Sequence, residues 1–434
     1  MNVPDSRREG LNLLLRWFRT DHYIDHILEE NKSFLSPQDR RFRDALIHRT
    51  LQWQRQTGSI IKNLFEQKKT PPLPIRILLL MGATEILHMS GTKDHGTVHA
   101  IVSLTGHHRP FVNAILRKII QFRDNGSFSD FCKDKTVNVG VRFSFPDWLT
   151  ERWSDQFGDE TECLLESLNQ PPVRMIRILT EKTRESILND LKLSGNFVEV
   201  SPWREDFVVV HSIQPILESN YFKDGHITIQ DVSATLPEYF FPDNGVLTAC
   251  DVCSAPGGKT AALLKHLPPE SVVCAYDIDK ERLEQVKHTL RRLQLARFTL
   301  NEADARTFSY PKSDLFLVDA PCSGFGVIRK RSDLRWRRKP EEMNELRTLQ
   351  FDILNNMSRY VKPGGRIIYS TCTFDRDENM GTLSAFLEEH GDFKLDLQSV
   401  KAPQSWNDLL FPALRTFPHH HNCEGSFAAC LKRK

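Results

Sequence analysis

The chain has 434 residues, more than one hydrophobic core usually organises, so two or three domains are expected. Hydrophobic residues at 40% and charged residues at 26% describe a globular protein rather than a disordered one, and the longest apolar stretch, residues 77–83, is far short of the roughly 20 residues a membrane span needs. A net charge of +2 leaves the partner open, and nine irregularly spaced cysteines do not form the framework of a small secreted domain, so reduced thiols are expected.

At the N-terminus, Asp5, Arg7, Arg8 and Glu9 place charges where a signal peptide would begin its apolar core, so the chain reads as cytoplasmic. From Arg7 to about residue 126 the pattern is helical: Leu11, Leu14, Leu15 and Phe18 fall at i, i+3, i+4 and i+7. Ser36 followed by Pro37 opens one helix, and Pro71, Pro72 and Pro74 break the chain before another over residues 75–88. An all-α domain is expected over residues 1–138. Short β-rich runs between 173 and 229 alternate with helical pieces, so residues 139–235 read as linker helices and a small α+β module. Within 236–434, apolar runs at 246–252, 272–277, 298–300, 315–319 and 366–371 alternate with helical segments, the pattern of a doubly wound, Rossmann-like α/β domain.

Cys253-Ser254-Ala255-Pro256-Gly257-Gly258-Lys259 leads from the first of these strands into a helix, where α/β sheets bind nucleotide-like ligands. The glycines permit close backbone approach, and helix N-terminal amides favour an anion such as the carboxylate of a methionine moiety. Gly258-Lys259-Thr260 matches the end of a P-loop, but that motif requires glycine where Cys253 stands. A tight turn without a ligand is the plainer alternative. Asp277 ends the next strand, 20 residues after Gly257, where a carboxylate accepts hydrogen bonds from both ribose hydroxyls; Asp279 is the nearby competitor. Asp304 follows the third strand and is placed either to meet an adenine amino group or to cap a helix. The three features in register favour S-adenosyl-L-methionine as cofactor.

Asp319 and Cys322 stand just beyond one strand in Asp319-Ala320-Pro321-Cys322-Ser323-Gly324, and Cys372 does so in Ser370-Thr371-Cys372 after another, so one crevice receives both thiols. Most of the other cysteines, Cys163 and Cys274 included, read as inert core residues. Two thiols and an acid suit methylation of cytosine at carbon 5. That carbon is too weak a nucleophile until a thiolate adds at carbon 6, a second group must then accept the carbon 5 proton, and Asp319 can bond N3 and the exocyclic amine. Spacing alone does not rank the two cysteines. Metal binding competes, because Cys250 and Cys253 form a C-x2-C pair and His419, His420 and His421 precede Cys423; no second well-spaced pair follows, so no metal is expected. Arg329, Lys330, Arg331, Arg335, Arg337, Arg338 and Lys339 surround Asp333 and Trp336 directly after the Cys322 loop, which reads as a phosphate-gripping surface for RNA, with a solvated basic face as the alternative.

At these residues the chain resembles the Sun family of RNA cytosine-5 methyltransferases. The resemblance implies that Cys372, in the threonine-cysteine motif, is the nucleophile and that Cys322, in the proline-cysteine motif, helps release the product. It also implies that Asp277 and Asp304 are the cofactor acids. Residues 1 to about 130 resemble a NusB-type helical RNA-binding domain, through Asp39-Arg40-Arg41-Phe42 and Phe111-Val112-Asn113-Ala114-Ile115-Leu116-Arg117, and the middle module resembles an RNA-recognition-like segment joined at Gln230-Asp231. The implied substrate is 16S ribosomal RNA, free or in early assembly because the target base must be unstacked, and the implied enzyme is a monomer. Ser254, Cys430 and the run Lys330-Arg331-Ser332-Asp333 depart from the family pattern without removing a reactive group. Two other readings compete: an RNA-binding assembly factor using the fold as a platform, and a DNA cytosine methyltransferase, which would carry its nucleophile in the proline-cysteine motif.

Overall fold

Helix α1 (Ser6–Arg19) is capped by Asp5, which accepts the Arg7 N–H at 2.9 Å, and it buries Gly10, Leu13, Leu14 and Trp17 along one face. The computed structural model describes residues 5–64, 70–243, 245, 248–396, 402–407 and 412–434, without the side chain of Lys182; Val246 and Leu247, the head of an expected strand, lie outside them. Helices α2 (Ile24–Glu29), α3 (Pro37–Leu64), α4 (Leu73–His88), α5 (Asp94–Ser103) and α6 (Arg109–Asp124) complete an apolar core with α1. Glu85 of α4 is fully buried there, matched by Arg7 at 2.6 Å and the Thr97 hydroxyl at 2.5 Å. Among the described residues, no helix is long and apolar enough to cross a membrane.

This helical unit comprises Met1–Gln170 together with Ile328–Pro340. It therefore runs past the boundary expected at 138, because α3 holds the next three helices. Gln56 donates to the Arg142 carbonyl at 2.5 Å, Arg55 pairs with Asp147 at 2.7 Å, and Gln52 donates to the Asn169 carbonyl at 2.8 Å. The basic segment supplies a second surprise. Arg335 is fully buried, stacked 3.9 Å over the Phe145 ring and donating to Ser144 O at 3.2 Å and Asn169 Oδ1 at 2.9 Å. Asp333 accepts from Trp17 Nε1 and from the Ile24 N–H, Trp336 donates to Leu51 O, and Arg337 lies over Trp17. The segment is thus a docking strap of the helical unit, not the continuous cationic surface its composition suggests; Lys330, Arg331 and Lys339 stay exposed.

The second unit comprises Pro171–Val327 and Glu341–Lys434. Strands β1 (Met175–Ile178), β2 (Phe197–Val200), β3 (Phe207–Val210) and β4 (Ile227–Ile229) make an antiparallel sheet in the order β2-β3-β1-β4. Two-residue alternation divides its faces: Ile176, Ile178, Val208 and Val210 pack on the helix Glu181–Leu193, whereas Met175 and Phe207 join the core of the larger sheet.

The larger sheet contains β5 (Thr248–Asp251), β6 (Val272–Asp277), β7 (Phe298–Glu302), β8 (Ser313–Asp319), β9 (Val361–Thr371), β10 (Phe393–Leu395), β11 (Leu414–Thr416) and β12 (Ser426–Arg433). Its order is β10-β12-β9-β8-β5-β6-β7, with β11 also paired to β12. Strands β5 to β9 are parallel, and the three C-terminal strands add an antiparallel edge. Alternate residues of the central strands face opposite helical layers. Ala249, Leu315 and Ile368 meet Leu263, Val286 and Leu290 on one side; Cys250, Phe316, Val318 and Tyr369 meet Ile353, Leu354, Leu383 and Phe386 on the other. Burial on both faces explains why the sequence runs are continuously apolar.

Candidate active site

Strands β5, β8 and β9 are neighbours, and their carboxyl ends bring together residues far apart in sequence. After β5, the Ser254 N–H donates to Tyr276 O at 2.9 Å and the Gly257 N–H to Ser254 O at 2.7 Å, which folds residues 253–257 into a tight loop. Gly257 has φ +102°, and a Cβ there would stand 3.1 Å from Val286 Cα, so both backbone conformation and packing require glycine. The helix Gly258–His266 starts immediately after it. Asp251 anchors that helix by accepting the Thr260 hydroxyl at 2.6 Å, and its burial pushes the carboxyl up to about 7.

Asp277 is almost completely buried at the end of β6. Its Oδ2 accepts the Ala255 N–H at 3.1 Å, its Oδ1 accepts the Asp279 N–H at 3.2 Å, and Arg282 Nη1 lies 3.6 Å away. Asp279, the competitor, instead caps the helix Lys280–Arg292 through the Glu281 and Arg282 N–H groups. Asp304 accepts the Arg306 N–H at 2.9 Å and pairs with its guanidinium at 2.6 Å, which holds the carboxyl below its ordinary range. Asp277, Asp304 and Cys253 line one cavity of about 220 Å³, whose walls include Ile278, Ala303 and Ile353.

Cys322 and Cys372 meet beside this cavity's Pro321 wall, with their sulfurs 3.4 Å apart. The hydrogen bond from Cys322 lowers the Cys372 thiol below its ordinary value, assisted by the Lys259 ammonium and opposed by burial and by Asp319. Cys322 is pushed well above its ordinary value, first by that same bond and then by burial. Lys259 pairs with Asp319 Oδ2 at 2.6 Å, while the Ser370 hydroxyl donates to Oδ1 at 3.0 Å. The Ala320 N–H donates to Ser370 O at 2.8 Å, the Gly326 N–H to Cys372 O at 3.0 Å, and the Ser323 hydroxyl to Thr373 Oγ1 at 2.9 Å. These bonds stitch the two cysteine segments together.

Sequence reasoning missed two supports here. Asp251 gave no signal, since its partner is a threonine nine residues on. Gly326 did leave one, the Gly324-Phe325-Gly326 run: a Cβ at 326 would stand 1.8 Å from Gly425 O and 2.7 Å from Cys372 O. The cysteines weighed as metal ligands are occupied otherwise. Cys250 bonds Ser313 Oγ at 3.3 Å within the sheet core, Cys253 faces the cavity, and Cys423 donates to Glu424 O.

Residues 242–432 match the family described as 16S rRNA methyltransferase RsmB/F, residues 4–121 the NusB family, and residues 145–217 an RsmF/B-like ferredoxin-like domain. The chain is 31% identical to the probable ribosomal RNA small subunit methyltransferase B of Bacillus subtilis, with all of both chains covered. The chain belongs to the RsmB/F family of 16S rRNA methyltransferases. Ribosomal RNA small subunit methyltransferase B of Citrobacter koseri is 28% identical over 95% of each chain. Among solved structures, the protein PH0851 superposes with a TM-score of 0.77 at 25% identity over all of both chains. Like other RsmB/F enzymes, this one draws its methyl group from S-adenosyl-L-methionine and acts on ribosomal RNA.

Proposed function

We propose that this RsmB/F enzyme methylates carbon 5 of a cytosine in 16S rRNA through a covalent adduct of Cys372. The observation that carries this reading is the 3.4 Å approach of two thiols next to Asp319 and beside the Asp277–Asp304 cavity. The cavity suits the cofactor's chemistry: Asp277 would accept the ribose hydroxyls, apolar Ile278, Ala303 and Ile353 would flank the adenine with Asp304 at its amino edge, and the loop at Cys253, Ser254, Ala255, Pro256, Gly257, Gly258 and Lys259 would bring helix N-terminal amides to the carboxylate. When bound, S-adenosylmethionine supplies an electrophilic methyl group.

The chain's own residues do the rest. Cys372, lowered in pKa by Cys322, adds as thiolate to carbon 6 and makes carbon 5 nucleophilic. Asp319, held by Lys259 and Ser370, would orient the base by accepting from its exocyclic amine. With Cys372 bonded to carbon 6, Cys322 gives up its own proton to solvent and as a thiolate accepts the carbon 5 proton after methylation, and the carbon 6–sulfur bond breaks with return of the electron pair to Cys372. The target is free or early-assembly RNA, because the base must leave its stack to reach the thiols.

RNA fragments tritiated at cytosine carbon 5 test this directly: wild type releases tritium with methyl transfer, and Cys372→Ala abolishes both. Undiminished methylation by Cys372→Ala would exclude it as nucleophile. Cys322→Ala should retain adduct formation and accumulate a slow-migrating protein–RNA band. Better methylation of assembled subunits than of free RNA would overturn the substrate assignment.

A further inference from the structure

Behind the two thiols lies a carboxyl group that the reaction above does not use. Glu378 is fully buried in the π-helical turn Asp377–Gly381. Its Oε2 accepts the Ser323 N–H at 2.8 Å and Gln350 Nε2 at 3.0 Å. The same Gln350 nitrogen donates to Pro321 O at 2.9 Å, and Gln350 Oε1 accepts the Thr382 hydroxyl at 3.1 Å. Pro321 and Ser323 flank Cys322, so one carboxyl and one amide grip the chain on both sides of that thiol. The turn is itself fastened to β9, because the Tyr369 hydroxyl donates to Glu378 O at 2.8 Å.

The other oxygen of the carboxyl is informative. Glu378 Oε1 is buried without a hydrogen-bond partner, a costly state for an ionised oxygen and a tolerable one for a protonated group. Burial first, and Asp375 second, push this carboxyl up to about 7. The titratable groups around it are Asp375 on its own segment, Cys322 on the loop after β8, Tyr369 on β9 and Cys372 directly after β9. The helix Pro340–Ser358 contributes neutral Gln350, with Arg347 reaching toward Gly381.

We infer that Glu378, together with Gln350, is a positioning residue for Cys322, a carboxyl that holds the Pro321–Ser323 peptide so that the Cys322 thiol lies against Cys372. The inference rests on the roles assigned above to the two cysteines. Protonated, Glu378 keeps the grip without adding charge; ionised, it places a buried anion beside two thiols and disfavours either thiolate. The sign is definite: the carboxyl is neutral below about pH 7 and charges above it, so chemistry that needs a thiolate is penalised as pH rises through that range.

The test is single-turnover methylation of an RNA fragment by the full chain with S-adenosylmethionine, followed from pH 6 to 9 with gel detection of the adduct. E378A should accumulate at least tenfold more adduct than wild type, as Cys322→Ala does, with cofactor affinity unchanged by calorimetry. E378Q keeps an oxygen for the Ser323 N–H and cannot ionise; it should release product as wild type does at pH 6.5 and lose the decline above pH 7. Q350A, which frees Pro321, should repeat the adduct accumulation and replaces E378A if that variant does not fold. Normal release by E378A and Q350A, while Cys322→Ala still traps adduct, overturns the positioning role alone. An E378Q profile that declines like wild type removes the protonation step. Absence of adduct in Cys322→Ala removes the release role of Cys322 and this inference with it.

Discussion

The hydrogen bond from Cys322 makes Cys372 more acidic, so the thiol assigned to product release also helps to prepare the nucleophile. Cys322→Ala deletes that bond, and the Cys372 thiol then rises toward its ordinary value. Adduct formation by the variant, timed by quenching across pH, should show its midpoint displaced to higher pH, and an unchanged midpoint would mean that the bond does not tune the nucleophile. At this scale the sequence was most legible where chemistry dictates identity: the thiols and Asp319 converge, and Asp277 and Asp304 share one cavity. Glu378 was illegible, because its function comes from Ser323 and Gln350 folding onto it rather than from its neighbours in the chain.

Elements were legible in proportion to their burial. Strands β5, β6, β8 and β9 are covered on both faces and read as continuous apolar runs, whereas β10 and β11 have three residues each and carry too little pattern to detect. Where two such elements touch without side chains, a single methyl group is decisive. Gly326→Ala would drive its Cβ into Gly425 O and Cys372 O, and thermal denaturation should show a loss of about 1–3 kcal/mol or more, with methyl transfer falling further than stability. The strap at 328–340 misled composition for a different reason: counting cations does not show which have partners. Arg335→Ala should leave the Ser144 carbonyl without this donor and Asn169 Oδ1 with Gln52 in its place, and empty the space over Phe145, costing the helical unit about 2–4 kcal/mol in denaturant unfolding. Lys339→Ala, at an exposed position of the same segment, should change stability by less than about 0.5 kcal/mol.

Across the whole molecule, the chain divides into two units: the small α+β module shares one with the larger sheet, and the helical one takes in residues 328–340 from beyond the cofactor loop. A chain ended at Gln170 lacks the groups that meet Trp17, the Ile24 N–H, Leu51 O and Phe145. It should melt lower than the same unit supplied with a peptide of residues 328–340, and an added peptide without effect would show that the strap contributes little. Synthesis runs from the N-terminus, and domains usually fold as they emerge. Here the first unit has to wait for its last piece until residues 171–327 have been made. Its completion is therefore a clock on the nascent chain: by the time the strap docks, the loop carrying Cys322 has already been translated.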